Sequence, residues 1–174
     1  MLKGENIYLR TIEPSDAALM LNWENNPENW AVSNTLVPFS EHLILQYVNS
    51  AQDIFETKQL RFIICLQEND TPIGTIDLFE YDPLHRRAGV GVLIEEISER
   101  NKGFANDAVQ LIIKYGFKRL DLHQLFCNIF ETNEHSIKLF EKNGFVQTGA
   151  KKDWVRIDGN WETELFYQLI SKEN

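Results

Sequence analysis

SERNKGFANDAVQLIIKYGFKRL, residues 98–120, joins a basic turn that contains a glycine to an apolar pattern with helical spacing. The apolar side chains that share this spacing are Phe104, Ala108, Leu111, Ile112 and Tyr115. They predict one face of an α-helix packed on a sheet. The apolar run "AGVGVLIEE" comes just before the turn and predicts a strand. The region therefore predicts a strand, a turn and a helix in that order.

The turn at the start of this helix predicts an anion-binding site. The first turn of a helix leaves backbone N–H groups without partners at the positive end of the helix dipole. Gly103 permits a close backbone approach and Ala105 keeps the surface low, while Arg100 and Lys102 add positive charge. This combination suits the diphosphate of a nucleotide-like cofactor. Taken alone, Arg-x-x-Gly-x-Ala is more often an ordinary helix start.

Two common phosphate motifs are missing from the sequence. It contains no Gly-Lys-Ser/Thr that would hold Mg²⁺ and a γ-phosphate, and no complete Gly-x-Gly-x-x-Gly. The four histidines also lack metal-ligand spacing, so no metal site is predicted. A diphosphate cofactor other than a nucleoside triphosphate or a dinucleotide is indicated.

The remaining elements predict one α+β domain over residues 1–174. Alternating and helical patterns give the order βααβββαβαββ, a mixed sheet with helices, with Ser15, Ser40 and Asn133 as candidate helix N-caps. "NPENWAVSNTLVPF", residues 26–39, is predicted to be a long irregular segment. Such segments are often functional in compact domains.

Composition limits the partners. The formal net charge of −9 disfavours binding to nucleic acid or to anionic lipid and favours cationic partners. Cys65 and Cys127 lie in apolar runs and are expected to be buried free thiols in a reducing compartment. No membrane-spanning run or signal peptide is recognised, so a cytoplasmic protein is expected.

Two motifs at matching spacing give a specific resemblance. "LIEEISERNKGFANDAVQLIIKYGF", residues 93–117, resembles the acetyl-CoA signature Arg/Gln-x-x-Gly-x-Gly/Ala of the GNAT acetyltransferases. "NEHSIKLFEKNGF", residues 133–145, resembles the Asn-x-x-Ser/Ala-x-x-x-Tyr-x-x-x-Gly-Phe element of that superfamily. The similarity covers nearly the whole chain and is strongest to the polyamine (spermidine or diamine) and ribosomal-protein N-terminal acetyltransferases. It implies a mostly antiparallel central sheet flanked by helices on both faces.

The resemblance implies a set of residues that bind acetyl-CoA as co-substrate. The amides of the turn would bind the diphosphate, and the backbone of the preceding strand would pair with the pantetheine arm. The short helix within residues 133–145 would make the remaining contacts with the cofactor. The thioester would lie where that strand and "LFCNIF", residues 125–130, splay apart. The residues implied are Val92, Leu93, Ile94, Arg100, Asn101, Lys102, Gly103, Phe104, Ala105, Asn106, Asn133 and Phe140.

The resemblance also implies catalytic residues. An amine titrates near pH 10, so a base must remove a proton before it attacks the thioester. Asp77 and Glu80 match acidic positions of the polyamine enzymes and rank ahead of Glu95, while a water relay to a more distant carboxylate is also compatible. Most relatives protonate the leaving thiolate with a tyrosine, and this position is Phe140. Ser136 is the first substitute, although a serine here could equally bond to the helix backbone.

The acceptor implied is a primary amine. A polyamine such as spermidine ranks slightly ahead of a protein N-terminus, and a small amine such as an antibiotic is also open. Where polyamine enzymes carry paired glutamates before the interhelical proline, this chain has Leu36 and Val37 before Pro38. A CoA-binding sensor without catalysis is the alternative that Phe140 suggests. Relatives form dimers or larger rings, so a homo-oligomer is expected.

Overall fold

The computed structural model describes residues 1–33, 35–50, 53–157 and 159–172. The strands are β1 Leu2–Lys3, β2 Ile7–Thr11, β3 Leu60–Leu66, β4 Pro72–Asp82, β5 Arg87–Ile94, β6 Gln124–Phe130, β7 Val146–Ile157 and β8 Asn160–Ile170. The helices are α1 Ala17–Glu24, α2 Pro27–Ser33, α3 Glu41–Asn49, α4 Ile54–Thr57, α5 Phe104–Lys118 and α6 Glu134–Lys142. Short 3₁₀ turns occupy Pro14–Asp16 and Ile97–Glu99.

The eight strands of the described residues form one sheet in the order β1-β2-β3-β4-β5-β6-β8-β7. β5 and β6 pair in parallel, whereas β3–β4, β4–β5, β6–β8 and β7–β8 pair antiparallel. This confirms the predicted α+β fold with a mostly antiparallel sheet. The predicted elements are all present, and β1, α2 and α4 are short additions to their order.

Helix α2 corrects the prediction of a wholly irregular segment at residues 26–39. Pro27 occupies the first helical position, where its missing N–H costs nothing. The Asn26 side chain accepts a hydrogen bond from the Glu28 N–H at 3.1 Å and so caps the turn. Local cap chemistry therefore starts a helix that the irregular composition of the segment concealed.

Two of the three predicted helix caps are confirmed. The Ser40 hydroxyl accepts from the Leu43 N–H at 3.2 Å, and the Asn133 side chain accepts from the Ser136 N–H at 3.1 Å. The prediction for Ser15 is wrong, because Ser15 lies inside the 3₁₀ turn. The Asp16 carboxylate instead accepts from the Glu13 N–H at 2.8 Å.

The residue contacts divide the chain into two compact units, Met1–Arg10 with Asp53–Asn174 and Thr11–Gln52. In the first unit, one face of the sheet packs against α5 and α6. Ala108, Val109 and Ile112 of α5 are fully buried against residues such as Ile76 and Leu125. In the second unit, Met20 and Trp23 of α1 and Ile44 and Val48 of α3 are buried. The candidate site described next lies in the first unit.

Candidate active site

Strands β5 and β6 diverge part-way along the sheet. Their parallel pairing runs from Arg87 opposite Gln124 to Gly89 opposite Phe126. Beyond that pair, β5 continues to Ile94 and β6 continues to Phe130 without further pairing to each other. The backbone of both strands therefore borders a gap, which we call the β5–β6 gap. Unpaired strand backbone of this kind can hydrogen-bond an extended ligand.

The backbone of β5 presents alternate residues to this gap. The Leu93 carbonyl oxygen points toward β4, since a Cβ on Gly74 would overlap it. Because successive backbone groups of a strand point to opposite sides, those of Val92 and Ile94 face β6. The Glu95 N–H donates to the Ile73 carbonyl of β4 at 2.9 Å, which agrees with this orientation. The Ile94 carbonyl accepts from Arg100 Nε at 2.8 Å. Of the three strand residues implied for cofactor pairing, Val92 and Ile94 thus face the gap, whereas Leu93 faces β4.

The turn between β5 and α5 is built from strained and small residues. Asn101 and Gly103 adopt left-handed backbone conformations with φ of 62° and 91°. Helix α5 begins at Phe104, and the first N–H to bond back into the helix is that of Asp107, to Gly103 O at 3.1 Å. Gly103 has no side chain that could cap the N–H groups before Asp107. The turn therefore presents the donors of a helix N-terminus, which favour an anion.

Part of the positive charge of this turn is used within it. The Lys102 ammonium pairs with the Glu99 carboxylate at 3.0 Å, and Arg100 holds the end of β5 through the Ile94 carbonyl. Neither interaction occupies the backbone N–H groups at the start of α5. The first-turn amides thus remain the main feature of the turn that could recognise an anion.

The first turn of α5 is also tied to α6. Asn143 Nδ2 donates to Asn106 Oδ1 at 3.1 Å and to the Leu139 carbonyl at 2.8 Å. Phe104 and Ala105 are partly buried and pack against the core, so their side chains stabilise the position of the turn on the core. Through these contacts, the turn and α6, which both carry residues predicted for the site, are held next to each other.

Ser136 and Phe140 of α6 have different surroundings. Ser136 is half-buried, and its hydroxyl makes no hydrogen bond to any residue that the structure describes. Phe140 is only 4% exposed and packs edge-to-face on Phe145 with ring centroids 5.0 Å apart. The structure therefore places Phe140 in the core, where its ring supports the helix.

Sequence reasoning missed a buried phenol beside this helix. Tyr167 of β8 lies opposite Cys127 of β6 and is 2% exposed. Its hydroxyl donates to the Glu141 carboxylate of α6 at 3.2 Å. Burial, with the Glu141 carboxylate, raises the pKa of Tyr167 above its ordinary value. An alternating apolar strand indicates only that such a residue is buried, and the hydrogen bond to α6 depends on the tertiary structure.

The two carboxylates that rank first as bases differ in their ion pairing and in their exposure to solvent. Asp77 of β4 is half-buried and pairs with Arg61 of β3 through both oxygens, at 2.6 and 3.0 Å. Glu80 is exposed, at an irregularity between Phe79 and Asp82, with a φ of 49°. Asp77 is thus fixed by a bidentate ion pair, whereas Glu80 is open to solvent.

Phenylalanine side chains line the sheet face opposite α5, where the two strands part. Phe79 of β4 meets Phe126 of β6 edge-to-face at 5.7 Å, and Phe126 lies 5.5 Å from Phe166 of β8. Gly89 separates the first two, and a Cβ there would overlap the Phe79 ring. The three phenylalanine side chains together form an apolar surface beside the β5–β6 gap.

The described residues contain no group of three or more His, Cys, Asp and Glu side chains that could hold a metal ion. Cys65 and Cys127 are buried and unpaired with each other, as predicted, and burial raises the pKa of the Cys127 thiol. Among the described helices, none combines the length and hydropathy that a bilayer crossing requires.

A gap between parallel strands, beside a glycine turn that opens a long helix, matches what the family resemblance implied. The family model "Acetyltransferase (GNAT) domain" matches residues 6–146. The chain belongs to the GNAT acetyltransferase family. Its membership and its named relatives identify it as an N-acetyltransferase.

Relatives of this GNAT enzyme extend over its whole length. A probable N-acetyltransferase, YjcK of Bacillus subtilis, is 25% identical over 180 residues, which cover 100% of this chain and 99% of the relative. A spermidine N(1)-acetyltransferase of Vibrio cholerae is 26% identical over 170 residues, covering 97% and 96% of the two chains. Both alignments span the turn and the short helix described above.

Solved structures share the fold of this GNAT chain. The spermidine N-acetyltransferase of Vibrio cholerae, crystallised with CoA and spermine, superposes with a TM-score of 0.86 at 23% identity over 95% of each chain. A dodecameric structure of spermidine N-acetyltransferase from the same organism gives a TM-score of 0.78 at 23% identity over 95% of this chain and 94% of that one. At this identity the likeness establishes the fold.

Proposed function

We propose that this enzyme transfers the acetyl group of acetyl-CoA to a primary amine by direct attack in a ternary complex. The observation that carries the proposal is the β5–β6 gap, which opens next to the N-terminal amides of α5. One feature accepts an extended amide-bearing arm and the other accepts a diphosphate. Acetyl-CoA carries both groups in one molecule.

Three parts of the chain would hold acetyl-CoA. The backbone amides from Asn101 to Asn106 bind the diphosphate, while the Arg100 N–H donates to the Ile97 carbonyl at 3.1 Å and Arg100 positions the turn. The backbone groups of Val92 and the N–H of Ile94 pair with the pantetheine arm. Asn133 uses its Oδ1 to cap α6, which leaves its Nδ2 to donate to the arm. Phe140, which the sequence placed among the cofactor residues, acts only through packing, because it is buried against Phe145.

The chemistry needs two proton movements around one acyl transfer. A base first takes a proton from the ammonium form of the acceptor, and the amine nitrogen then attacks the thioester carbon. A strand N–H facing the gap stabilises the oxyanion of the tetrahedral intermediate. The C–S bond breaks with its electron pair on sulfur. Ser136 donates its hydroxyl proton to the thiolate and takes up the second proton that the newly acetylated nitrogen releases, so the serine is restored. Holding both reactants in alignment supplies much of the rate.

Asp77 and Glu80 remain the proposed bases, and they differ in solvent exposure and in ion pairing. Glu80 is exposed and can exchange protons with solvent directly. Asp77 would have to loosen its bidentate pair with Arg61 to accept a proton. A carboxylate acting through water is the third route.

A polyamine or diamine such as spermidine is the first acceptor to test. Two spermidine N(1)-acetyltransferases, from Vibrio cholerae and Escherichia coli, align with 97% and 95% of this chain at 26% and 28% identity. The net charge of −9 also favours a cationic acceptor.

A peptide N-terminus is the second acceptor, favoured by an apolar surface in the Thr11–Gln52 unit. Leu36 is 91% exposed and Val37 is 69% exposed. They stand before Pro38, at the place where the resemblance to polyamine enzymes implies paired glutamates. Exposed aliphatic side chains suit an acceptor with an apolar body better than a polycation. This observation keeps the protein-modifying alternative in the experiment.

We further propose that the enzyme is a cytoplasmic homo-oligomer. The dodecameric relative supports assembly. In this chain, the edge strand β7 and its partner β8 carry Trp154 and Trp161, which are 59% and 60% exposed. Exposed aromatic side chains on an edge hairpin are typical of interfaces. Light scattering of the purified protein tests the assembly.

The experiment that tests the function is CoA-thiol release from acetyl-CoA across a pH series. Spermidine, putrescine and an N-terminal ribosomal peptide are supplied as separate acceptors. Release with the polyamines alone supports the first acceptor class, and release with the peptide alone supports the second. CoA binding without turnover on any of a broad panel of amines would contradict the proposal and favour a CoA sensor.

A further inference from the structure

A carboxylate on α5 binds the turn between β1 and β2, which is distant from it in sequence and is called the N-terminal turn below. Asp107 Oδ2 accepts hydrogen bonds from the N–H groups of Glu5, Asn6 and Ile7 at 2.9, 3.0 and 3.4 Å. Gly4 lies so close that a Cβ on it would overlap the carboxylate. Asp107 therefore fastens the start of α5 to the turn between β1 and β2.

We propose that Asp107 is a positioning residue that holds the cofactor turn in its binding geometry. This inference rests on the proposed use of acetyl-CoA. Asp107 directly follows Asn106, the last residue of the proposed diphosphate turn, and its N–H makes the first bond back into α5. An anchor at this residue fixes where the preceding amides point.

The anchor belongs to a set that fixes the turn from three directions. Arg100 ties the turn to the end of β5, and Asn143 ties Asn106 to α6. Asp107 supplies the third tie, to the turn between β1 and β2. Amides that are already aligned bind an anion without an ordering cost at that moment.

A purely electrostatic role for Asp107 gives the opposite expectation. A carboxylate near the diphosphate repels it, so removing the charge would strengthen CoA binding. If Asp107 is an anchor, its removal releases three backbone donors and the turn, and CoA binding weakens. The sign of the change therefore distinguishes the two roles.

Gln67 provides a matched control on the same N-terminal turn. Its Nε2 donates to the carbonyl oxygens of Gly4, Glu5 and Ile7 at 2.8, 3.2 and 3.1 Å. The variant Q67A would remove contacts of this turn that Asp107 does not make, and would keep the Asp107 hydrogen bonds and the first turn of α5. It separates a general loss of contacts at the N-terminal turn from loss of the Asp107 anchor.

The test compares wild type, D107A and Q67A by calorimetric titration with CoA, and by turnover with acetyl-CoA and with S-acetylpantetheine, which lacks the diphosphate. We expect D107A to weaken CoA binding about tenfold, with Q67A close to wild type. We also expect the kcat/KM of D107A to fall with acetyl-CoA but not with S-acetylpantetheine.

Three results would overturn the inference: tighter or unchanged CoA binding by D107A, equal weakening by Q67A, or an equal loss with both acetyl donors. CoA titration of the wild type needs no acceptor, so absence of binding there would contradict the proposed function itself. Melting temperatures of the variants show whether each is folded during the titration.

Discussion

Gly89 of β5 and Phe126 of β6 form the last pair of the parallel ladder, and the two strands part beyond them. The Phe79 ring lies over Gly89 and meets Phe126 edge-to-face at 5.7 Å. The absence of a side chain at residue 89 therefore lets an aromatic ring cover the point of divergence. The gap proposed for the thioester opens directly beyond this contact.

Two glycines of β5 make this relationship testable. In G89A the new Cβ would overlap the Phe79 ring, whereas in G91A it would lie 3.7 Å from that ring, an ordinary contact. We expect G89A to reduce the free energy of unfolding by about 1–3 kcal/mol through overpacking. G91A should lie within about 1 kcal/mol of wild type. Urea unfolding measures both, and equal values for the two variants would contradict the packing described.

The turn before α5 makes a second prediction. Gly103 has a φ of 91°, and a Cβ added to it would meet no described atom within 4 Å, so G103A costs backbone strain without a clash. Gly159 has a φ of 87° in similarly open space within the β7–β8 turn. Each alanine variant should lose about 1–2 kcal/mol of stability.

Only G103A should also weaken CoA binding, because only Gly103 adjoins the proposed diphosphate amides. Calorimetric titration of both variants with CoA measures this difference. If G159A lost affinity to the same degree, strain alone would explain the effect and the turn would have no special role.

Ser136 gives a prediction about catalysis. Its backbone N–H bonds to Asn133 and survives substitution, so S136A should keep α6 intact. We expect kcat to fall by at least about 100-fold if the hydroxyl protonates the thiolate. E134A, which removes an exposed ion pair with Lys138 on the same helix, serves as the control and should retain kcat. An unchanged kcat in S136A would assign the proton to water.

Tyr8 predicts a loss of stability in alkali. Its hydroxyl donates to Asp70 at 3.0 Å, and burial, followed by this hydrogen bond, raises the pKa of Tyr8 to about 12. The unfolded phenol ionises near pH 10, so the folded state holds the proton longer. This contribution to stability is complete below pH 10 and is lost as the pH rises through about 12.

Y8F should therefore show a shallower decline of stability than wild type between pH 10 and pH 12. At neutral pH it should lose about 1 kcal/mol, the net value of a hydrogen bond. Thermal unfolding across this pH range measures both effects. Parallel curves for the two proteins would show that Tyr8 does not titrate as described.

Local patterns predicted the elements of this fold, because the spacing of apolar residues reports directly on helix and strand faces. The α5 face and the caps at Ser40 and Asn133 were predictable for this reason. Contacts between distant segments were not. A single aspartate in a helix looks like solvated surface charge, and only the tertiary structure brings Asp107 to Glu5 and Asn6.

Register limited the prediction of the site in the same way. Whether the backbone of Val92 or of Leu93 faces β6 depends on the phase of β5 pairing, which the sequence does not encode locally. The Arg61–Asp77 pair likewise depends on the alignment of β3 with β4. The motif could therefore locate the turn in the sequence. It could not show which partners the nearby acidic side chains have.

Amide hydrogen exchange of the protein with and without CoA tests the proposed cofactor site most directly. We expect protection by CoA in peptides that cover β5 beyond Gly89, where β5 no longer pairs with β6, and the turn from Arg100 to Asn106 that leads into α5. Little change is expected in the β7–β8 hairpin. Protection confined to other segments, with the gap and the turn unaffected, would show that CoA does not bind at the proposed site.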